Sequence, residues 1–360
     1  MLIGGAASSE GNIIAGTQVG IDLRPVSNIT IRSNTIGLAD ARGIWLDNVS
    51  NVTIGGDAAT EGNAIGGNAS DGIYVLGNST NVTIIGNLIR PLATIGGTFA
   101  NGGHGIVLEN TANVTIGNGS ASGRNVIAGN RRRGIFGFGT NTGTTVTSNY
   151  IGTDLTGNVA VANGQSEGGA TRDAISFDVG GVVNNLAIIG NVIGGYDAAL
   201  VELWTCNSNG VTIQGNNIGV GADGISQIVP VNSEDLVYIG GGSSHSNLLI
   251  GGSAPGQGSL IAFSSRSGIR LESSGSNMQV IGNTIRNNAR SGLYLTNSIR
   301  AALVGNSNAP SAPQSLAQCT YTPVPGYEPQ VRYVCLNPKG SLSAGGAQGQ
   351  VQVRLRLRIN

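Results

Sequence analysis

Short apolar runs recur along this chain on a schedule, three to a repeat. The first is Asn-x-Ile, seen at Asn12-Ile13-Ile14, Asn34-Thr35-Ile36, Asn63-Ala64-Ile65, Asn87-Leu88-Ile89 and Asn125-Val126-Ile127. It continues at Asn149-Tyr150-Ile151, Asn191-Val192-Ile193, Asn216-Asn217-Ile218 and Asn283-Thr284-Ile285, with Ser259-Leu260-Ile261 as a polar substitute. About eight residues later comes Gly-Ile-x-Leu, as in Gly20-Ile21-Asp22-Leu23, Gly43-Ile44-Trp45-Leu46 and Gly105-Ile106-Val107-Leu108; Gly224-Ile225 reads as a later copy. A third run follows, Asn28-Ile29-Thr30-Ile31, Asn51-Val52-Thr53-Ile54 and Asn81-Val82-Thr83-Ile84 among others. Such runs alternate with period two and have one buried face, which predicts short strands. The intervals are too short for crossover helices. Three strands per turn of chain, stacked in register, predict an all-β solenoid, a parallel β-helix of about ten coils. At roughly 4.8 Å per coil it is on the order of 50 Å long. The Asn of Asn-x-Ile is expected at a turn, in left-handed backbone, with its side chain bonded to the same Asn in the next coil.

The repeat motifs carry a resemblance. Ile54-Gly55-Gly56 to Gly72-Ile73, Ile116-Gly117-Asn118 to Gly134-Ile135, and Asn149-Tyr150-Ile151-Gly152-Thr153-Asp154-Leu155-Thr156-Gly157 resemble the units of bacterial extracellular proteins of the right-handed parallel β-helix type. The resemblance covers about residues 1–305 and implies a right-handed coil. It does not select an activity, because that architecture serves pectin and alginate enzymes, adhesins and phage tailspikes alike.

Composition narrows the picture. Sixty glycines in 360 residues would suggest disorder if they were aperiodic. Here they punctuate the strands. A net charge of zero leaves no field favouring nucleic acid or an anionic membrane. No apolar run is long enough to span a bilayer. The chain enters repeat sequence directly at Met1-Leu2-Ile3, as a mature or truncated chain would, and no signal sequence is read there. Two divisions are expected, a β-helix over 1–307 and a small C-terminal β appendage over 308–360. The appendage holds a Pro-rich linker, a loop with Cys319 and Cys335, and the alternating strand 351–360. Cys319 and Cys335 could pair, leaving Cys206 single. Self-association through uncapped coil ends or the C-terminal strand is a further expectation.

Alternation assigns the outward positions of the second-strand sheet. One column reads Asp22, Trp45, Tyr74, Val107, Phe136, Ser176, Glu202, Ser226, Arg270 and Tyr294; the next includes Arg24, Asp47, Glu109, Asp178, Trp204 and Glu272. Aromatics mixed with carboxylates suit sugar rings, although aromatic residues also simply cover exposed sheets. Trp45, Tyr74, Glu109, Phe136, Trp204, Arg172 and Tyr196 are the candidate binding residues.

Two coils break the repeat by lacking the glycine before the second strand: Ala174-Ile175-Ser176-Phe177-Asp178 and Leu200-Val201-Glu202-Leu203-Trp204. They follow one insertion, read as about Gly152 to Asp173, and a second comes soon after, Ile228 to Asn247. Departures from a local rule concentrate at functional sites. Asp178 and Glu202 lie in adjacent coils with a backbone diagonal near 8 Å, roughly the carboxyl spacing of an inverting glycosidase. They are the candidate acid and base, with Asp173 a third catalytic candidate; Asp173, Asp197, Arg172 and Tyr196 lie on flanking turns and could complete a cleft. The same residues also suit a solvated charged surface. Arg131-Arg132-Arg133 reads as a solvated edge that could meet an anionic sugar. His104 and Tyr150 are an alternative base and acid. With His245 the only other histidine, no His-based metal site and no cofactor are expected.

The preferred function is therefore an extracellular, surface-associated repeat protein that binds polysaccharide or cell-surface glycan without turnover. The alternatives are a polysaccharide hydrolase or lyase using Asp178 and Glu202, and a structural subunit stacked end to end.

Overall fold

The structure, a computed structural model, describes residues 1–94, 97–164, 172–195, 198–229, 234–272 and 274–295. Tyr196, Asp197 and all of 308–360, with Cys319, Cys335 and the 351–360 strand, lie outside the described residues.

Three parallel sheets run the length of the coil stack. The first holds the ten Asn-x-Ile strands, from Ile13–Ala15 to Thr284–Arg286. The second holds ten strands from Ile21–Leu23 to Ser291–Leu295. The third has thirteen, because the long strand Ser244–Gly251 pairs with both Asn207–Asn209 and Thr212–Gln214 and so joins two strand columns. Every ladder within the three sheets is parallel and in register, Ile21 opposite Ile44, Ile44 opposite Ile73 and onward. Inward Ile, Leu and Val residues stack into one core running through the coils, most of them fully buried. The side ladder Leu92–Thr94 with Gly97–Phe99 is antiparallel.

Two asparagine columns do different work, and one corrects the expectation from sequence. The Asn-x-Ile asparagines from Asn34 to Asn216 are buried, Asn12 and Asn283 at the two ends are not, and none is in left-handed backbone. Their side chains form an internal ladder: Asn34 Nδ2 donates to Asn63 Oδ1 at 3.0 Å, Asn63 to Asn87 at 2.9 Å, and the chain of bonds continues through Asn125, Asn149 and Asn191 to Asn216. At the substitute, Ser259 Oγ accepts from Asn216 N at 3.2 Å. The left-handed positions are instead the third-strand asparagines Asn28, Asn51, Asn81 and Asn113, with φ from 54 to 59°. Asparagine tolerates that region better than other residues with a Cβ.

A second internal ladder joins Asn68, Asn101, Asn130 and Asn163, each step 2.8 Å. It explains the glycine before the second strand. A Cβ on Gly105 would stand 2.7 Å from Gly134 O and 3.0 Å from Asn130 Nδ2. The ladder ends at Asn163 in the described residues of this run, and the glycine column gives way to Ala174, Leu200 and Leu236, all buried. Both return together, with Gly268 against Asn288 Nδ2. The missing glycines of coils six and seven are thus a packing change.

The expected second-strand copy at Gly224-Ile225 is not a strand of the second sheet. Val220 and Gln227 bridge antiparallel, Asp223 Oδ1 accepts from Ile225 N and Ser226 N at 2.8 Å each, and Ile225 is 76% exposed. The eighth strand of the second sheet is Val237–Gly240, and Tyr238 stands opposite Glu202 where Ser226 was expected. The excursion belongs before this strand, not at Ile228 to Asn247. It stacks on the earlier excursion after Gly152: Ala222 N donates to Gly157 O, and Asp223 N to Asn158 Oδ1, both at 3.0 Å.

Candidate functional site

The outward column of the second sheet runs Asp22, Trp45, Tyr74, Val107, Phe136, Ser176, Glu202, Tyr238, Arg270, Tyr294 by direct pairing. It is not evenly exposed. Trp45, Phe136, Tyr238 and Tyr294 are half-buried, whereas Tyr74, Val107 and Ser176 are buried. Tyr74, expected as an exposed ring, is covered because Arg42 lies 4.4 Å over it and its hydroxyl donates to Glu109. Burial, then that bond, hold the Tyr74 phenol well above its usual range.

Arginines interleave with the rings. Arg24 and Arg42 stand 4.1 and 4.7 Å from the Trp45 centroid. Arg270 lies 4.8 Å from that of Tyr238, whose hydroxyl donates to Glu272 at 2.6 Å. Trp204 packs on Tyr238 with centroids 5.1 Å apart, and Phe136 stacks between His104 and Phe138 at 4.8 and 5.3 Å. A guanidinium over a ring is attracted to its π face and helps to fix the ring plane.

Asp173, Asp178 and Glu202 converge on one buried cation, Arg133. Its Nε meets Asp173 Oδ2 at 2.7 Å; its Nη2 lies 3.5 Å from Asp178 Oδ2 and 3.9 Å from Glu202 Oε2. Arg133 is 5% exposed, so the reading of Arg131-Arg132-Arg133 as a solvated edge fails at its third member. Arg131 and Arg132 do face solvent. Because Asp178 and Glu202 share one nitrogen, those oxygens are no farther apart than the sum of the two distances.

The three carboxyls differ in surroundings. Burial, then the Asp173 charge, pushes Glu202 up to about 8, against the pull of Arg133 and a 3.1 Å hydrogen bond from Ser176 Oγ. Burial likewise raises Asp173, which is hydrogen-bonded to both Arg133 and Glu202. Two carboxyls that bond one another share a proton, so at neutral pH Asp173 and Glu202 carry one between them. Asp178 sits at the rim. Its Oδ1 accepts from Val179 N and, at 2.5 Å, from Thr205 Oγ1. Arg172 is half-buried next to Asp173. His104 and Tyr150 do not form a pair: His104 borders the second sheet, whereas Tyr150 lies in the first sheet under Arg124.

A family model described as the right handed beta helix region matches residues 3–91. With the three parallel sheets, this decides the architecture. The chain is a right-handed parallel β-helix. No curated protein matches it. Solved structures that resemble this β-helix include the A-module of the Azotobacter vinelandii mannuronan C-5 epimerase AlgE4, at 16% identity and a TM-score of 0.32, covering 77% of this chain and 63% of that one. Another is the Agl-KA catalytic domain, at 14% identity and a TM-score of 0.33, covering 82% and 58%. The chain spans less than two thirds of either structure. Likeness at that level adds nothing about activity. Among the described residues of the β-helix, no helix is long and apolar enough to cross a membrane.

Sequence reasoning missed Arg133, Phe138 and Tyr238 as members of this face. Tyr238 was hidden by the excursion before it. The role of Arg133 depends on a contact forty residues away in sequence. One local signal was available: in the turns after second-sheet strands the left-handed positions are usually Asn or Gly, yet Val179 and Thr205 occupy them at φ 65 and 51°. Left-handed β-branched residues are outliers, and both flank the carboxylate cluster.

Proposed function

We propose that the β-helix binds a glycan along the outer face of its second sheet, without turnover, as a secreted or surface-associated protein. The observation that carries this reading is the half-exposed ring column Trp45, Phe136, Trp204, Tyr238 and Tyr294 on one face, interleaved with Arg24, Arg42 and Arg270. Sugar rings present apolar C–H faces that stack on aromatics, and their hydroxyls bond to charged neighbours. Here every ring has such a neighbour on the adjacent coil or the adjacent column. Affinity electrophoresis against a polysaccharide panel tests it. Trp204→Ala is expected to weaken binding about tenfold, equivalent to about 1.4 kcal/mol. Absence of retardation by any polysaccharide, or full retention by Trp204→Ala, would sink it.

One observation favours a second reading, glycoside hydrolysis. Glu202, raised to about 8, keeps a proton at neutral pH as a general acid must, while Asp178, which shares the Arg133 Nη2 nitrogen with it, is the partner carboxyl at the rim. Release of reducing ends from the bound polysaccharide, abolished in both Glu202→Gln and Asp178→Asn, would favour hydrolysis over binding alone. Without such release the face is a binding surface only.

A further inference from the structure

A groove of about 310 Å³ opens on the same face and reaches from Arg42 to Phe138, on the coil that adjoins the carboxylate cluster. Arg42, Asp71, His104, Arg132, Phe136 and Phe138 line it. Its electrostatics are one-sided. Asp71 is already engaged, accepting from His104 N at 2.8 Å and lying 3.4 Å from Arg42 Nε. Arg132 is exposed and has no carboxylate partner among the described residues. His104 is 6% exposed, and its Nδ1 is buried without a hydrogen-bond partner. Burial, then the charges of Arg133 and Arg132, push this imidazole down to about 3, so it stays neutral and adds no charge to that of the nearby guanidinium groups. Beside the guanidinium, Phe136 and Phe138 supply a stacked apolar wall.

The carboxylate cluster has the opposite sign. Three carboxyls surround the single buried cation Arg133. With one proton shared, the group remains net negative. Burial, then the charges of Asp178 and Glu202, push the neighbouring Cys206 thiol up to about 12. Phe136 is paired directly with Ser176, and Ser176 with Glu202, so Arg132 and Phe136 stand one coil from Asp178 and two from Glu202, roughly 5–10 Å along the axis.

We propose that the groove takes a sugar unit bearing an anionic substituent and that the carboxylate cluster admits only an uncharged unit. The ligand is then a glycan whose acidic units are spaced by neutral ones, in contrast to a uniformly charged polymer. This rests on the glycan-binding reading above. Arg132 forms paired N–H bonds to a carboxylate or sulfate, with the ring against Phe136. An acidic unit placed next along the face would meet the Asp178 carboxylate, a like-charge contact that discriminates by repulsion.

Titration calorimetry with four oligosaccharides of equal length tests this: alternating glucuronate and N-acetylglucosamine, a galactan sulfated on alternate units, oligogalacturonate, and neutral galactan. At least one alternating probe is expected to bind about tenfold more tightly than the last two, and which one does so distinguishes carboxylate from sulfate. Arg132→Ala, a change at an exposed side chain, should remove that advantage and leave neutral galactan unaffected. Asp178→Asn should narrow the gap for oligogalacturonate. Oligogalacturonate binding as tightly as the alternating probes overturns the spacing rule, and alternating probes bound by Arg132→Ala as tightly as by wild type overturn the groove. Either result leaves glycan binding itself standing. Silence from all four probes, and from the wider polysaccharide panel, overturns both readings together.

Discussion

At the residue scale the molecule keeps four charged groups within one small volume, and their titration is a stability statement. Glu202 holds its proton to about pH 8 in the folded chain, against an ordinary 4.5. Asp173, Asp178, Arg133, Tyr238 and Cys206 are the titratable groups around it. The folded state therefore binds a proton that the unfolded chain releases between those values. Stability is fully present below about 4.5, falls as pH rises toward 8 and is level above, by on the order of a few kcal/mol. Raised Asp173 acts in the same direction. Denaturant unfolding across pH 4 to 9 is the measurement; Glu202→Gln should flatten the slope and unfold later than wild type at pH 9. A slope unchanged in Glu202→Gln would mean that the proton is not held there. Arg133 carries the opposite risk. Arg133→Met would strand the surrounding carboxylates and is expected to cost about 3–5 kcal/mol.

The next scale is the strand and its corner, where the internal asparagine ladders decide how coils stack. Asn125 Oδ1 accepts from Asn87 N and Nδ2, and Asn125 Nδ2 donates to Ile84 O and Asn149 Oδ1. All lie in the core, where a buried donor left unpaired costs about 1–3 kcal/mol. Asn125→Ala should therefore lower unfolding free energy by at least about 3 kcal/mol, with Asn125→Ser intermediate because Ser259 already serves in this column through its Oγ. Equal loss in both variants would show that the side-chain bonds add nothing beyond packing. This element was largely legible in sequence, since the spacing of Asn-x-Ile predicts both coil count and ladder. What was not legible was which asparagine takes left-handed backbone, because both columns share the residue type and differ only in the face they present to the core. The second ladder was equally hidden, since Asn68, Asn101, Asn130 and Asn163 sit beside varying neighbours. Yet it is the reason for the glycine column, and hence for the apparent irregularity of coils six and seven. That irregularity pointed to Asp178, Glu202 and Trp204, although it arises from core packing by Leu200 and Leu236. Asp173, read from sequence as lying on a flanking turn, meets Arg133 at 2.7 Å, whereas Arg133 comes from a different coil and gave no local sign.

For the whole molecule, the solenoid turns a local ring contact into a ruler. Trp45 is in the second coil and Trp204 in the seventh, so about 24 Å of axis separates them at roughly 4.8 Å per coil. A glycan long enough to reach both makes its second contact as an intramolecular event, at an effective concentration set by chain length and stiffness. A short oligosaccharide occupies one station at a time and gains nothing from the other. The β-helix is rigid along this axis because every coil is hydrogen-bonded to the next through three sheets. Span is thus fixed by coil number, and little of it is lost to internal motion. The expectation is a length threshold. Affinity should rise steeply once the oligosaccharide can bridge 24 Å, roughly five coil steps, and Trp45→Ala should abolish that rise while leaving short-ligand affinity within about twofold of wild type. Trp204→Ala should weaken short and long ligands alike if the short ligand prefers the Trp204–Tyr238 station, where two rings meet. Calorimetry over a length series reads both. A smooth increase with length, equal in wild type and Trp45→Ala, would show that the second coil contributes no contact and that binding is confined to the middle of the rod.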